Sequence, residues 1–303
     1  MTDDVSIGRR AALLINARSR TGEHATSAAL GALKDRGLQV GRVIQVSRPD
    51  ELGQAARDLL ADEPDRLIVG GGDGTIATVA PLIARTGVAL GVIPMGTAND
   101  FARTLLIPVD LDGAADVAAG ACWRFVDLAR ANVGWFLNAA HVGVAAAAVS
   151  RDVSPSLKLW FGRAVYAVVG LHALIRSPTF KATITTEAGT IRVEARELVI
   201  GNGRYYGGGV LVSEGSRMDD GELVIYAMGA RSRWEVAGTM ALLKLQVPLD
   251  RPGDLFIKAR NVSIEADPPQ GVTLDGESRG QTPLTVEVVP GVLRVLAPPD
   301  DTP

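Results

Sequence analysis

The 303-residue sequence holds a single cysteine, Cys122, and only three histidines. One cysteine excludes an internal disulfide and fits a reducing compartment. The histidines, His24, His141 and His172, show no metal-ligand spacing, and His141 and His172 read as core or rim residues. No uncharged apolar stretch is long enough to span a bilayer. The early apolar run Ala11 to Ile15 is too short for a signal peptide, which predicts a cytoplasmic protein. Net charge is −3, so there is no basic field to attract nucleic acid. Low-complexity segments and internal repeats are also missing. What remains is an ordinary globular composition, 47% hydrophobic and 21% charged, at a length that favours two domains.

The most informative stretch is Leu67-Ile68-Val69-Gly70-Gly71-Gly72-Asp73-Gly74-Thr75. A short apolar run reads as the end of a buried strand, and a helix pattern follows the glycines. Glycine admits positive φ and brings bare N–H groups close to a ligand, and a helix N-terminus adds positive charge. The junction is therefore suited to phosphate. Asp73 would repel a phosphate unless a divalent cation or a reacting hydroxyl lies between them. That points to a nucleoside triphosphate handled with a metal.

Three rival readings compete. A plain turn does not need four glycines around one acid. The segment Gly72 to Ala77 fits the dinucleotide pattern G-x-G-x-x-A, but no Asp or Glu occurs between Ile76 and Asn99 to bind a ribose. Gly91 to Gly96 has the glycine spacing of a P-loop, but Thr97 stands where lysine belongs.

In chain order, residues 11–15 read as a strand ending in the donor-rich turn Asn16-Ala17-Arg18-Ser19-Arg20-Thr21-Gly22. A helix from about Glu23 to Lys34 and a strand from Val40 to Val46, ending at Ser47, follow. Pro49-Asp50-Glu51 opens another helix. The glycine turn, a helix from Ile76 to Ala84 and a strand from Val88 to Ile93 complete a βαβαβαβ alternation. This predicts an α/β domain with an open, mostly parallel sheet covered on both faces. Ligands of such sheets sit at the carboxyl ends of strands. Asn16, Ser47, Gly71, Gly72, Asp73, Gly74, Thr75 and Thr97 all fall there. Beyond Gly96, the residues Thr97, Asn99 and Asp100 supply a hydroxyl, an amide and a carboxylate at a helix start. One of them would suffice as a cap, so three beside a glycine suggest a site as well.

From Trp123 the pattern turns β-rich, with runs at 124–129, 135–139, 179–186, 191–200, 222–228, 254–265, 284–289 and 292–296. Many short strands predict an all-β, sandwich-like second domain. The boundary is expected at residues 130 and 131, with the last ten or so residues returning to the first domain. Two apolar helical segments, Leu157 to Ile175 and Trp234 to Leu245, are expected as insertions. They suit core packing, or a cleft for an acyl chain or a membrane surface.

Two acidic turns lie in this half. Arg217-Met218-Asp219-Asp220-Gly221-Glu222 could hold Mg²⁺ through a carboxylate and backbone carbonyls. Thr273-Leu274-Asp275-Gly276-Glu277 is a second Asp-Gly turn. Both also read as ordinary hairpin turns.

Taken together, five ordered motifs resemble the diacylglycerol kinase catalytic-domain family, specifically its soluble bacterial lipid kinases. They are Asn16 to Gly22, Gly71-Gly72-Asp73-Gly74-Thr75, Gly96-Thr97-Ala98-Asn99-Asp100, Asp219-Asp220-Gly221 and Asp275-Gly276-Glu277. The same superfamily contains sphingosine and ceramide kinases and, more distantly, NAD kinases. The resemblance implies a two-domain fold with ATP in the cleft between domains and transfer of phosphate to a lipid hydroxyl. It implies that Asn16, Ala17, Arg18, Ser19, Arg20, Ser47, Gly71 to Ala77 (Ile76 included), Thr97, Asn99 and Asp100 hold ATP. It implies a Mg²⁺ bound by Asp220 with the carbonyls of Arg217 and Glu222, Asp275 as general base, and Asp73 as its partner near the catalytic metal. The implied partners are a lipid alcohol and, transiently, a membrane surface; a homodimer is compatible with it. Two positions depart from the family pattern: Ala17 replaces a proline, and Thr78 replaces a glutamate. An NAD kinase-like enzyme and a non-catalytic nucleotide- or lipid-binding regulator are the alternatives.

Overall fold

In the computed structural model of the protein, the described residues are 7–17, 22–143, 178–205, 215–229 and 254–299. The two inserted helical segments expected at 157–175 and 234–245 lie outside them. The chain forms two compact units, Met1–Leu128 with Pro290–Pro303, and Ala129–Val289.

The first unit is an α/β layer structure. Strands β1 (Arg10–Asn16), β2 (Gln39–Val46), β3 (Arg66–Gly71) and β4 (Ala89–Pro94) lie in the order β2-β1-β3-β4, every pair parallel. The end of β15 (Leu284–Leu296) adds to β4 in parallel, with Val295 opposite Leu90. All six residues of β3 and all six of β4 are buried, as expected of strands covered on both faces. Helices α1 (Gly22–Asp35), α2 (Leu52–Leu60) and α3 (Asp73–Ile83) are the crossovers. The chain leaves β1 for β2 on one side and comes back to β3 on the other. The carboxyl ends of β1 and β3 therefore flank a topological switch point, where open α/β sheets bind ligands.

Two short helices, α4 (Asp100–Thr104) and α5 (Leu111–Ala119), follow β4. The second was not expected from hydrophobic periodicity, because its buried face is Ala114, Ala115, Ala118 and Ala119. Its start was encoded in Asp110, whose carboxylate accepts the Gly113 N–H at 2.8 Å. Between the two helices, Leu106 holds φ +59° and is 50% exposed. A left-handed leucine costs about 1–2 kcal/mol, which glycine would not incur. Leu106→Gly should therefore stabilise the protein by about 0.5–1 kcal/mol after the entropy of a freer unfolded chain is subtracted. Urea titration would show it as a higher midpoint with an unchanged slope.

Arg66, the first residue of β3, is 1% exposed. It faces no carboxylate at hydrogen-bond distance; its guanidinium donates to the carbonyls of Ile7, Gly8, Ala118 and Gly120 at 2.8–3.1 Å. Burial, aided by Arg9, pushes its pKa down from the ordinary arginine value, with Asp65 opposing. The buried arginine ties the entry to β1 and the end of α5 to the sheet.

The second unit is built of antiparallel strands, as the fold class anticipated. Strand β9 (Gly189–Gly201) is its spine. Its first half pairs with β8 (Phe180–Thr186); its second half lies between β7 (Ala139–Gly143) and β10 (Leu223–Gly229). Strand β13 (Gly271–Leu274) pairs with β7 and with β14 (Glu277–Gln281). Strand β12 (Asn261–Asp267) lies between β8 and the start of β15. The core includes Ala140, Val142, Leu198, Ile200, Ile225, Val272 and Leu274, alternate positions along their strands.

Four expected strands differ in extent. The run 135–139 is divided between β6 (Gly134–Phe136) and β7, because the N–H groups of Leu137 and Asn138 turn to a carboxylate instead of a ladder. The run 254–265 breaks between β11 (Leu255–Ala259) and β12 at Arg260, whose N–H goes to Glu187 at 2.7 Å. The runs 284–289 and 292–296 join into the single strand β15, with Gly291 at φ +60° absorbing the bend.

Candidate functional site

In the first unit the phosphate-suited motifs come together at the carboxyl ends of β1, β3 and β4. Asn16 ends β1, and its side-chain amide donates to the Thr75 hydroxyl at 2.8 Å. Its carbonyl oxygen Oδ1 is buried and has no hydrogen-bond partner among the described residues. A buried amide oxygen left open calls for a donor or a bound group. Gly72 caps α3, and its carbonyl accepts the N–H groups of Thr75 and Ile76. A Cβ on Gly96 would stand 2.5 Å from the Gly72 Cα, so the two loops touch at backbone and admit only glycine. A Cβ on Gly74 would meet nothing within 4 Å, so the first turn of α3 faces open space.

The side chains divide into those that hold the loops and those that could reach a ligand. Asp73, the first residue of α3, accepts the Phe101 N–H at 3.0 Å and so caps α4. Asn99 sits at φ +52° and clasps the Gly96 backbone twice, accepting its N–H at 2.9 Å and donating to its carbonyl at 3.1 Å. Its amide closes the loop. Asp100 is 2% exposed, while Thr97 is exposed. Ser47 is exposed at the end of β2, beside the end of β1, where the Ala17 N–H donates to the Val46 carbonyl at 2.8 Å. Ala17 and Ile76 are core residues, 9% and 2% exposed, so neither offers its side chain to a nucleotide. Arg18, Ser19 and Arg20 lie outside the described residues.

In the second unit, Asp275 and Gly276 have φ of +45° and +83° and form the tight turn between β13 and β14. This is the hairpin reading of Asp-Gly, and it has a second effect. The Asp275 carboxylate folds back over the start of β7. Its Oδ2 accepts the Leu137 N–H at 2.7 Å, and its Oδ1 accepts those of Asn138 at 2.8 Å and Ala139 at 3.1 Å. The Asp275 N–H in turn donates to the Ala139 carbonyl at 2.9 Å. A half-buried carboxylate on a left-handed residue is thus held by three peptide groups. A carboxylate held in place in this way is suited to positioned proton transfer. Residues 137–139 were missed in the sequence because they act through backbone, whatever their side chains.

The third candidate, the Asp220 turn, is occupied by its own chain. Asp220 accepts the N–H groups of Arg217 at 3.4 Å and Glu222 at 3.0 Å. The Arg217 guanidinium forks onto Asp219 at 2.7 and 2.9 Å. The Lys258 ammonium donates to Glu222 at 2.9 Å and stands 3.7 Å from Asp220, and these carboxylates raise its pKa, the Glu222 bond most. Among the described residues no group of three His, Cys, Asp or Glu could hold a metal. Lys258 already compensates the carboxylates that Mg²⁺ at Asp220, with the Arg217 and Glu222 carbonyls, would use, so the residues as placed present no open site for that ion.

Comparison with known proteins agrees with these motifs. Residues 10–131 match the model of the diacylglycerol kinase catalytic domain, and residues 139–297 match that of the YegS C-terminal NAD kinase beta sandwich-like domain. A probable lipid kinase YegS-like from Pseudomonas syringae pv. syringae (strain B728a) is 33% identical over 303 residues, covering 96% of this chain and 94% of its own. A protein of the same description from Xanthomonas campestris pv. campestris (strain 8004) is 31% identical, covering 95% and 96%. The crystal structure of a diacylglycerol kinase from Bacillus anthracis str. Sterne shares the fold, with a TM-score of 0.78 at 24% identity over 96% of this chain and 97% of that one. With the glycine turn at the switch point, the acidic hairpin and both domain models in order, the chain belongs to the YegS-like lipid kinase family, built on the diacylglycerol kinase catalytic domain.

Proposed function

We propose that the protein transfers the γ-phosphoryl group of ATP to the hydroxyl of a diacylglycerol-like or related lipid alcohol, with Asp275 as general base. The observation that carries this reading is the Asp275 carboxylate held by three peptide N–H groups. Such a grip fixes a carboxylate in place at no side-chain entropy cost to its partners. Phosphoryl transfer asks little covalent chemistry of a protein; it asks for position and charge compensation. Asp275 takes the acceptor O–H proton as that oxygen bonds to phosphorus, and ADP leaves with the electron pair of the broken P–O bond. The open Asn16 Oδ1, the bare turn at Gly74 and the peptide groups of Gly71 to Thr75 support nucleotide binding on the first unit. In this reading Asp73 is positioned by the Phe101 N–H and serves beside the phosphates, with Ser47 and Thr97 on the nucleotide's flanks. Charge neutralisation of the phosphates would come from Mg²⁺ bound with the nucleotide.

Among the described residues no helix is long and apolar enough to cross a membrane. The reading is of a cytoplasmic enzyme that meets its lipid transiently at a membrane surface. The test is purified protein with Mg²⁺-ATP and a panel of lipid alcohols in mixed micelles. Phosphorylated lipid is the expected product. NADP formed from NAD, with no lipid phosphorylated, would replace this reading with an NAD kinase; nucleotide binding with neither product would leave a regulator.

A further inference from the structure

One face of the second unit's sheet carries polar groups that the proposed reaction does not use. On strands β13, β7 and β9 the alternate positions Val272, Leu274, Ala140, Val142, Leu198 and Ile200 fill the core. Thr273 and His141 are directly opposed in register and so share the other face. The His141 Nδ1 meets the Glu197 carboxylate at 3.0 Å, the two side chains being 19% and 9% exposed. Glu197 lies opposite Gly143, two residues along β7 on that same face. Thr273 is 1% exposed, and its hydroxyl is buried with no hydrogen-bond partner among the described residues. It precedes Asp275 by two residues, and the pairing of β13 with β14 shifts register between Val272 and Thr273. Such bulges re-aim side chains beside active sites.

A buried hydroxyl without a partner is a standing penalty, and one beside a fixed His–Glu pair is an unusual place to leave it. Valine has the same shape and would remove the penalty. The arrangement gains a purpose if a ligand supplies the missing partner. A threonine hydroxyl both donates and accepts, which matches another hydroxyl better than an ester carbonyl, which only accepts. Its place in the strand next to the proposed base sets the ligand: the same alcohol that Asp275 deprotonates.

Resting on the lipid kinase reading, we propose that Thr273, positioned alongside the His141–Glu197 pair, forms a subsite for a second hydroxyl on the acceptor, close to the hydroxyl that is phosphorylated. The acceptor class is then a lipid diol of the monoacylglycerol type, in preference to a lipid with one hydroxyl. A buried site built to bond a hydroxyl discriminates strongly against the analogue that lacks it.

The experiment compares kcat/KM for a 1-monoacylglycerol and for its analogue lacking the secondary hydroxyl, in the same micelles, with wild-type protein and Thr273→Val. Wild type is expected to favour the diol by at least about tenfold, equivalent to one hydrogen bond. Thr273→Val should lower kcat/KM for the diol by about tenfold, leave the one-hydroxyl analogue within about twofold, and melt no lower than wild type. His141→Asn should erode the same preference, since the pair positions that face. Equal losses on both lipids, or a wild-type enzyme that phosphorylates both alike, would overturn the subsite while leaving the kinase reading intact. Absence of transfer to any lipid alcohol by wild type would instead sink the kinase reading. ATP binding by Thr273→Val, followed by equilibrium titration, should be unchanged; a loss there would mark a general structural effect and overturn the assignment.

Discussion

Asparagine at position 275 should lower kcat by about 10²–10⁴-fold, the usual worth of a general base. The structure adds a second consequence. The carboxylate accepts on both oxygens, Oδ2 from Leu137 and Oδ1 from Asn138 and Ala139. An asparagine amide has one acceptor atom, so whichever way it turns, an NH₂ faces at least one peptide N–H. The variant should therefore also lose about 1–3 kcal/mol of stability, the cost of a buried donor left without its acceptor. Both losses can be read separately: kcat at saturating lipid and Mg²⁺-ATP, and the urea midpoint without substrate. ATP binding on the first unit should be unaffected. A variant that turns over at the wild-type rate would remove Asp275 from the mechanism.

The largest stability loss is expected at Arg66. Replacing it with methionine keeps the volume and apolar stem but removes every donor. Four carbonyls, those of Ile7, Gly8, Ala118 and Gly120, then lose a buried charged partner. At about 1–3 kcal/mol for each group that water cannot reach, a net loss of about 3–5 kcal/mol follows. Chemical denaturation of Arg66→Met against wild type would measure it. Arg66→Lys should recover only part, because one ammonium cannot span carbonyls that a planar fork reaches at once. The effect should appear in unfolding and not in kcat of the folded fraction.

The fold class was written plainly in the chain. In the first unit, continuous apolar runs at 67–69 and 88–93 marked strands buried on both faces, and glycine or proline with acids marked the helix starts. Alternation marked the antiparallel half. What escaped was structure made without hydrophobic contrast. Helix α5 buries alanines, which any periodicity measure weighs lightly. The gap between β6 and β7 is set by where two peptide groups point, and side chains carry no record of that. The candidate site was legible to the same degree. Types and order of motif residues stood out, yet their division of labour did not. Asn99, Ala17 and Ile76 each look like ligands by position, while in three dimensions one is a clasp and two are core. Lys258, 36 residues from Glu222, becomes its partner only because β10 and β11 pair with Val224 opposite Lys258.

The grip on Asp275 is made of main chain, so ordinary mutation cannot delete it. Residues Leu137, Asn138 and Ala139 are free to drift in identity as far as that carboxylate is concerned. Only proline, which has no amide hydrogen, would strip a donor away. Packing limits these buried places on its own terms, and the grip adds the exclusion of a single residue type.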